Sequence, residues 1–84
     1  MTPIRVAIVD DHPALREGVA AILEREPDLR IVALAGSLAD ARPLLTGPDA
    51  PDVIVLDIRL GGDRGLELLA DRPPGATRPA IVVT

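Results

Sequence analysis

Apolar residues fall in four short runs, at 4–9 (IRVAIV), 30–34 (RIVAL), 53–57 (VIVLD) and 80–83 (AIVV). Runs of this length, rich in β-branched residues and with little polar alternation, predict strands buried on both faces. Between them the period changes. In HPALREGVAAILEREP, residues 12–27, Leu15, Val19, Ile22 and Leu23 share one face of a helix, with Arg16, Ala20 and Glu24 off it. Pro13 suits a first helical turn and Pro27 ends the segment. Ser37 opens a second helix, SLADARPLL, where Asp40 three residues on makes a variant of the capping box and Pro43 predicts a kink or an early end. Residues 46–52 (TGPDAPD) are a loop of turn-formers. GGDRG, 61–65, matches neither a dinucleotide nor a P-loop spacing and reads as a flexible connector. LELLAD, 66–71, is a short helix stopped by Pro73 and Pro74.

The order is therefore βαβαβαβ. Alternation of this kind predicts an α/β, doubly wound parallel sheet with helices on both faces and right-handed crossovers. Ligands of such sheets bind beyond the carboxyl ends of the strands, where the strand order reverses. Asp10 and Asp11 end the first run and Asp57 ends the third. With strand order 2-1-3-4 the first and third strands are neighbours, about 4.8 Å apart, and three carboxylates crowd together. At about 5 Å and an effective dielectric near 20, each pair repels by about 3 kcal/mol. A held proton or a hard cation relieves that repulsion, and oxygen-only donors with open positions suit Mg²⁺. Any one of these acids is read as readily as a helix cap or a loop-ordering group. Three converging on one sheet edge favour the cation. His12 reads as a solvent-facing loop residue, not a ligand.

Composition narrows the field. Eighty-four residues make at most one domain, and one that buries only about 60% of its unfolded surface. There is no Phe, Tyr or Trp, so the core must be Val, Ile, Leu and Ala. The lack of Cys and a single His exclude disulfides, thiolate sites and a His-rich zinc site. Arg5 and Asp10 interrupt the first apolar stretch and no run reaches membrane-spanning length, so a cytoplasmic chain without a signal peptide is expected. A net charge of −4 gives no electrostatic footprint for nucleic acid. All nine basic residues are arginine; there is no lysine.

The stretches RVAIVDDHPALREGVAAIL, DVIVLDIRL, RGLELL and AIVVT together resemble the receiver domain of bacterial response regulators. DDHPALREGV is most similar to the NarL/LuxR-type subfamily of two-component transcriptional regulators, whose members usually carry a C-terminal helix-turn-helix. The resemblance runs in order along the whole chain. It implies a flavodoxin-like (CheY-like) fold and a phosphorylation switch, not a classical enzyme. It implies Asp57 as the phosphoacceptor charged by a histidine kinase, and Asp10 and Asp11 as the acidic pair that helps hold Mg²⁺, with Asp11 the more direct ligand. It further implies the backbone carbonyl of Arg59 as a metal ligand and Thr84 as the switch hydroxyl. DNA would be bound only through a helix-turn-helix outside this chain. The apolar run 80–83 would leave an open sheet edge, so pairing of two copies is expected.

Three departures from the family pattern stand out. Gly61 occupies a position where the family commonly has Pro, which loosens the loop after Asp57. Arg59 sets a long cation beside the acceptor. The family's lysine after its fifth strand is absent, as are the fourth helix, fifth strand and fifth helix. Residues 1–84 are thus expected to be a receiver domain incomplete at its C-terminus. Two other functions stay open. A phosphohydrolase of the haloacid dehalogenase type wants a second acid two residues after the nucleophile, where Arg59 stands. A receiver-like interaction module that is never phosphorylated is suggested by the missing lysine and opposed by the intact Asp10, Asp11 and Asp57.

Overall fold

The computed structural model describes residues 2–57, 67–75 and 79–84. Strands β1 (Ile4–Val9), β2 (Leu29–Ala35), β3 (Val53–Leu56) and β4 (Ala80–Val83) form one all-parallel sheet in the order β2-β1-β3-β4. The expected doubly wound α/β arrangement with order 2-1-3-4 is therefore present. The connector 61–65 lies outside the described residues.

The helices follow local chemistry. Helix α1 (Pro13–Glu24) begins on Pro13, and its end tightens as Arg25 and Glu26 donate to the carbonyls of Ile22 and Leu23 before Pro27. The Ser37 hydroxyl accepts from the Asp40 N–H at 3.1 Å and starts α2 (Leu38–Ala41). Pro43 cannot donate to the α-helical ladder, and residues Arg42–Leu45 continue as a 3₁₀ turn, the early end foreseen from the sequence. Helix α3 (Glu67–Ala70) is a single turn. No helix among the described residues is long and apolar enough to cross a membrane.

Alternation along β1 and β3 divides the core into two layers. Ala7, Val9, Ile54 and Leu56 pack with Leu38, Ala41, Leu45 and Leu68 beneath α2 and α3. Val6 and Ile8 pack with Ala20, Val19 and Leu23 of α1. Simple alternation would place residues 29, 31, 33 and 35 of β2 on one face. Instead the register slips: Ile31 pairs with Val6 and Ala33 with Ala7, leaving Val32 as an extra residue. Leu29 and Ile31 therefore join the α1 layer, while Ala33 and Ala35 join the other.

The inward face of α1 differs from the expected one. Ala20 is its buried residue and Val19 and Leu23 are half-buried, but Leu15 and Ile22 are 55% and 62% exposed. The stripe against the sheet therefore runs through Arg16, Val19, Ala20 and Leu23. Alanine at the contact lets the helix approach Val6 and Ile8 closely, and the bulkier Ile22 is turned aside. Helix α1 lies over β2 and β1. Val82 on β4 is 50% exposed, and β4 has no second strand neighbour among the described residues.

Candidate functional site

The parallel ladder runs one residue past the strand ends and thereby sets three residues in a row. The Asp10 N–H donates to the Ala35 carbonyl, the Asp57 N–H to the Val9 carbonyl and the Thr84 N–H to the Leu56 carbonyl, each at 2.9 Å. Asp10, Asp57 and Thr84 are thus the first residues beyond β1, β3 and β4, held by the last residues of neighbouring strands. They also line a groove of about 300 Å³ whose apolar walls include Leu15, Val19 and Val55.

Four side chains converge here. Asp10, Asp11, His12 and Asp57 each offer a ligand atom, and those atoms lie within 4.8 Å of one another. Asp10 is buried, and its Oδ1 accepts the backbone N–H of His12 at 2.9 Å. That bond ties the carboxylate to the turn before α1 without capping the helix: the N-cap is His12, with no side-chain cap bond, so neither Asp10 nor Asp11 is the helix cap that the alternative reading allowed. Asp11 Oδ1 is shut off from solvent and accepts no hydrogen bond; His12 Nδ1 lies 3.0 Å away and pairs with it only when that imidazole is protonated. A buried carboxylate oxygen left unpaired costs roughly 1–3 kcal/mol or more, so the atom is suited to a cation. Asp11 itself keeps partial exposure, which leaves a way in from solvent.

The sequence-derived residues fare differently from one another. Asp10, Asp11 and Asp57 are brought together, and Thr84 stands beside Asp57 across the β3–β4 pair. Arg59 and its carbonyl, with Gly61, lie outside the described residues. His12 is a loop residue with a side chain 69% exposed, yet its Nδ1 is 3.4 Å from Asp10 Oδ1 and 3.0 Å from Asp11 Oδ1. When protonated, the imidazole forms an ion pair with both acids, a contact the sequence reading did not anticipate. The signal was simple adjacency: residue 12 sits where the chain turns back over the strand end. Arg16 was also missed. It lies off the face that the apolar spacing defines, yet its Nη1 donates to the Asp10 carbonyl at 2.9 Å.

Comparison with known proteins gives this geometry a context. Residues 6–84 match the response regulator receiver domain. The chain belongs to that family. It is 45% identical over 84 residues to the nitrate/nitrite response regulator protein NarP of Escherichia coli K12, covering 99% of this chain and 39% of that protein. It is 38% identical over 84 residues to a protein-glutamate methylesterase/protein-glutamine glutaminase of Caulobacter vibrioides, covering 100% of this chain and 24% of that protein. Among solved structures, a LuxR-family two-component response regulator from Aurantimonas superposes with a TM-score of 0.84 at 32% identity, covering 98% of this chain and 58% of the other. The chain thus spans well under half the length of these curated relatives. The receiver family accompanies both regulatory and enzymatic proteins, and NarP and the LuxR-family structure place this receiver with the NarL/LuxR-type regulators.

Proposed function

We propose that this chain is the phosphoacceptor portion of a longer two-component transcriptional regulator, charged on Asp57 by a histidine kinase in the cytoplasm. The observation that carries this reading is the four-residue cluster at the strand ends, with a buried and unsatisfied Asp11 Oδ1 beside Asp57. In the reaction a carboxylate oxygen of Asp57 attacks the donor phosphorus. The bond from phosphorus to the donor atom breaks, its electron pair leaves with the donor, and Asp57 becomes a mixed anhydride.

Asp10, Asp11 and Asp57 would hold Mg²⁺, with the carbonyl of Arg59 as a further donor. Bound there, the cation supplies charge neutralisation and orientation for phosphoryl transfer. Asp10 keeps its position through its backbone and Oδ1 bonds, and Asp57 through the ladder bond to Val9. In this reading the Thr84 hydroxyl donates to a phosphoryl oxygen on Asp57; Thr84 is the first residue beyond β4, its N–H held by the Leu56 carbonyl. The new charge would then bias the position of Thr84 and what packs on β4. Output to DNA belongs to a helix-turn-helix in the longer protein.

The site is tested by titrating the protein with Mg²⁺ in a calorimeter, because a chain without aromatic residues gives no intrinsic fluorescence. Asp11→Asn is expected to weaken Mg²⁺ binding by about tenfold or more, since it removes a ligand charge next to the other carboxylates. Unchanged affinity would remove Asp11 from the site. A second expectation concerns nucleic acid. With a net charge of −4 and no basic cluster to release counterions, residues 1–84 should not shift duplex DNA at micromolar protein, at low salt or high. Submicromolar, salt-sensitive binding in a mobility-shift assay would contradict the assignment of DNA contact to another domain.

A further inference from the structure

The reading of the acids as a cation site leaves one charged residue of α1 unexplained. Arg16 is half-buried on the face turned toward the sheet, an unusual place for a cation on a short amphipathic helix. Its Nη1 donates to the Asp10 carbonyl at 2.9 Å, and its Nε is buried without a hydrogen-bond partner. A guanidinium that gives up water at Nε for one backbone bond is held there by the fit around it.

Gly36 provides that fit. A Cβ built at residue 36 would lie 2.8 Å from Arg16 Nη1, while the Asp10 carbonyl oxygen would be at an ordinary 4.0 Å. Gly36 has no left-handed φ, unlike Gly47 and Gly75, so its backbone does not call for glycine. A methyl there would push aside the flexible end of Arg16, so the effect of alanine at residue 36 falls on the Arg16–Asp10 bond and not on the backbone.

The bond matters because of which carbonyl it holds. The C=O of Asp10 belongs to the same planar peptide as the N–H of Asp11, so fixing that oxygen fixes the direction in which the chain leaves toward Asp11. Asp10 is otherwise held by its N–H to Ala35 and its Oδ1 to His12. The second closes a turn around the Asp10–Asp11 peptide but leaves its carbonyl oxygen without a donor. Arg16 supplies that donor, and it reaches the peptide from α1, six residues along the chain.

We infer that Arg16, seated on Gly36, is a positioning residue that holds the Asp10–Asp11 peptide in the geometry a divalent cation requires. The inference rests on the reading of Asp10, Asp11 and Asp57 as a Mg²⁺ site. It makes Gly36 part of the same device, acting through Arg16 alone.

The test measures Mg²⁺ affinity by calorimetry without any phosphoryl donor, and beside it the rate at which a small acyl phosphate phosphorylates the protein as a function of Mg²⁺ concentration; the half-saturating concentration is read from both. Arg16→Ala is expected to raise the half-saturating Mg²⁺ concentration about tenfold, the scale of one charge-assisted hydrogen bond. The rate at saturating Mg²⁺ should recover to within about twofold of the parent, because Arg16 is not in the chemistry. Gly36→Ala should raise the half-saturating concentration severalfold in the parent and leave it unchanged when added to Arg16→Ala, since the added methyl then meets nothing nearer than the Asp10 carbonyl oxygen at an ordinary 4.0 Å. That non-additivity is the signature of action through Arg16. A merely structural role would lower the saturated rate along with the folded fraction and leave the half-saturating concentration alone. An unshifted half-saturating concentration in both single variants, or additive effects in the pair, overturns the inference. If Arg16→Ala does not fold, Gly36→Ala decides alone: a shifted half-saturating concentration at a normal saturated rate supports the inference, and no shift overturns it. A parent protein that needs no Mg²⁺, or takes no phosphoryl group, would instead refute the proposed function.

Discussion

Asp57→Asn is expected to abolish phosphoryl acceptance, lowering the rate of labelling by a small acyl phosphate by about a hundredfold or more. The carboxamide oxygen is a poor nucleophile and carries no charge to draw a cation. Asp10 and Asp11 remain in place, but neither ends β3 next to Thr84. The substitution keeps the shape of the side chain, so the ladder bond from residue 57 to the Val9 carbonyl survives. It also removes one carboxylate from a group whose ligand atoms lie within 4.8 Å, so in the absence of divalent cation the fold should melt at the same temperature or higher. A melt followed by circular dichroism alongside the labelling assay separates lost chemistry from lost structure. Labelling of the variant at more than a tenth of the parent rate would contradict the assignment.

The second large effect is on stability. Ile54→Ala should cost about 2–5 kcal/mol, because Ile54 is completely buried in the central strand β3 and touches the layer beneath α2 and α3. At roughly 0.05–0.15 kcal/mol per residue, a chain of 84 residues has about 4–13 kcal/mol in all. The variant should therefore melt at least about 10 °C lower, and near the upper end of the loss it should be largely unfolded at 37 °C. Ile22→Ala provides the contrast. Ile22 is 62% exposed on α1 and alanine favours helix, so this change should stay within about 0.5 kcal/mol. The pair distinguishes the observed packing of α1 from the face its apolar spacing suggested. A loss at Ile22 comparable to that at Ile54 would show that α1 is turned the other way.

The strands were legible because each is a short apolar run between turn-formers. Runs 4–9 and 80–83 coincide with β1 and β4, and 53–57 with β3 and the aspartate that follows it. The parallel topology followed from alternation, and the meeting of Asp10, Asp11 and Asp57 followed from the topology. Ser37 and Pro43 announced the start and the early end of α2 through local chemistry alone. What escaped depends on packing. The bulge at Val32 leaves no local mark, since RIVAL is apolar from Ile31 to Leu34 and has no alternation for a bulge to break, and only pairing with β1 reveals it. The rotation of α1 was misjudged because four large apolar residues outweighed one alanine, whereas close approach to the sheet selects the alanine. Arg16 and Gly36 are twenty residues apart and meet only once β2 lies beside β1, so no reading of spacing would join them.

The central claim is that the acid ending β3 takes the phosphoryl group. Incubating the protein with a small acyl phosphate and Mg²⁺, then locating the modification by peptide mass spectrometry, tests it most directly. The account predicts one added phosphoryl group per chain, carried by Asp57, dependent on Mg²⁺ and labile as an acyl phosphate should be. A phosphoryl group on Asp10, Asp11, Thr84 or any other hydroxyl, or no modification of a folded, Mg²⁺-loaded protein, would contradict it.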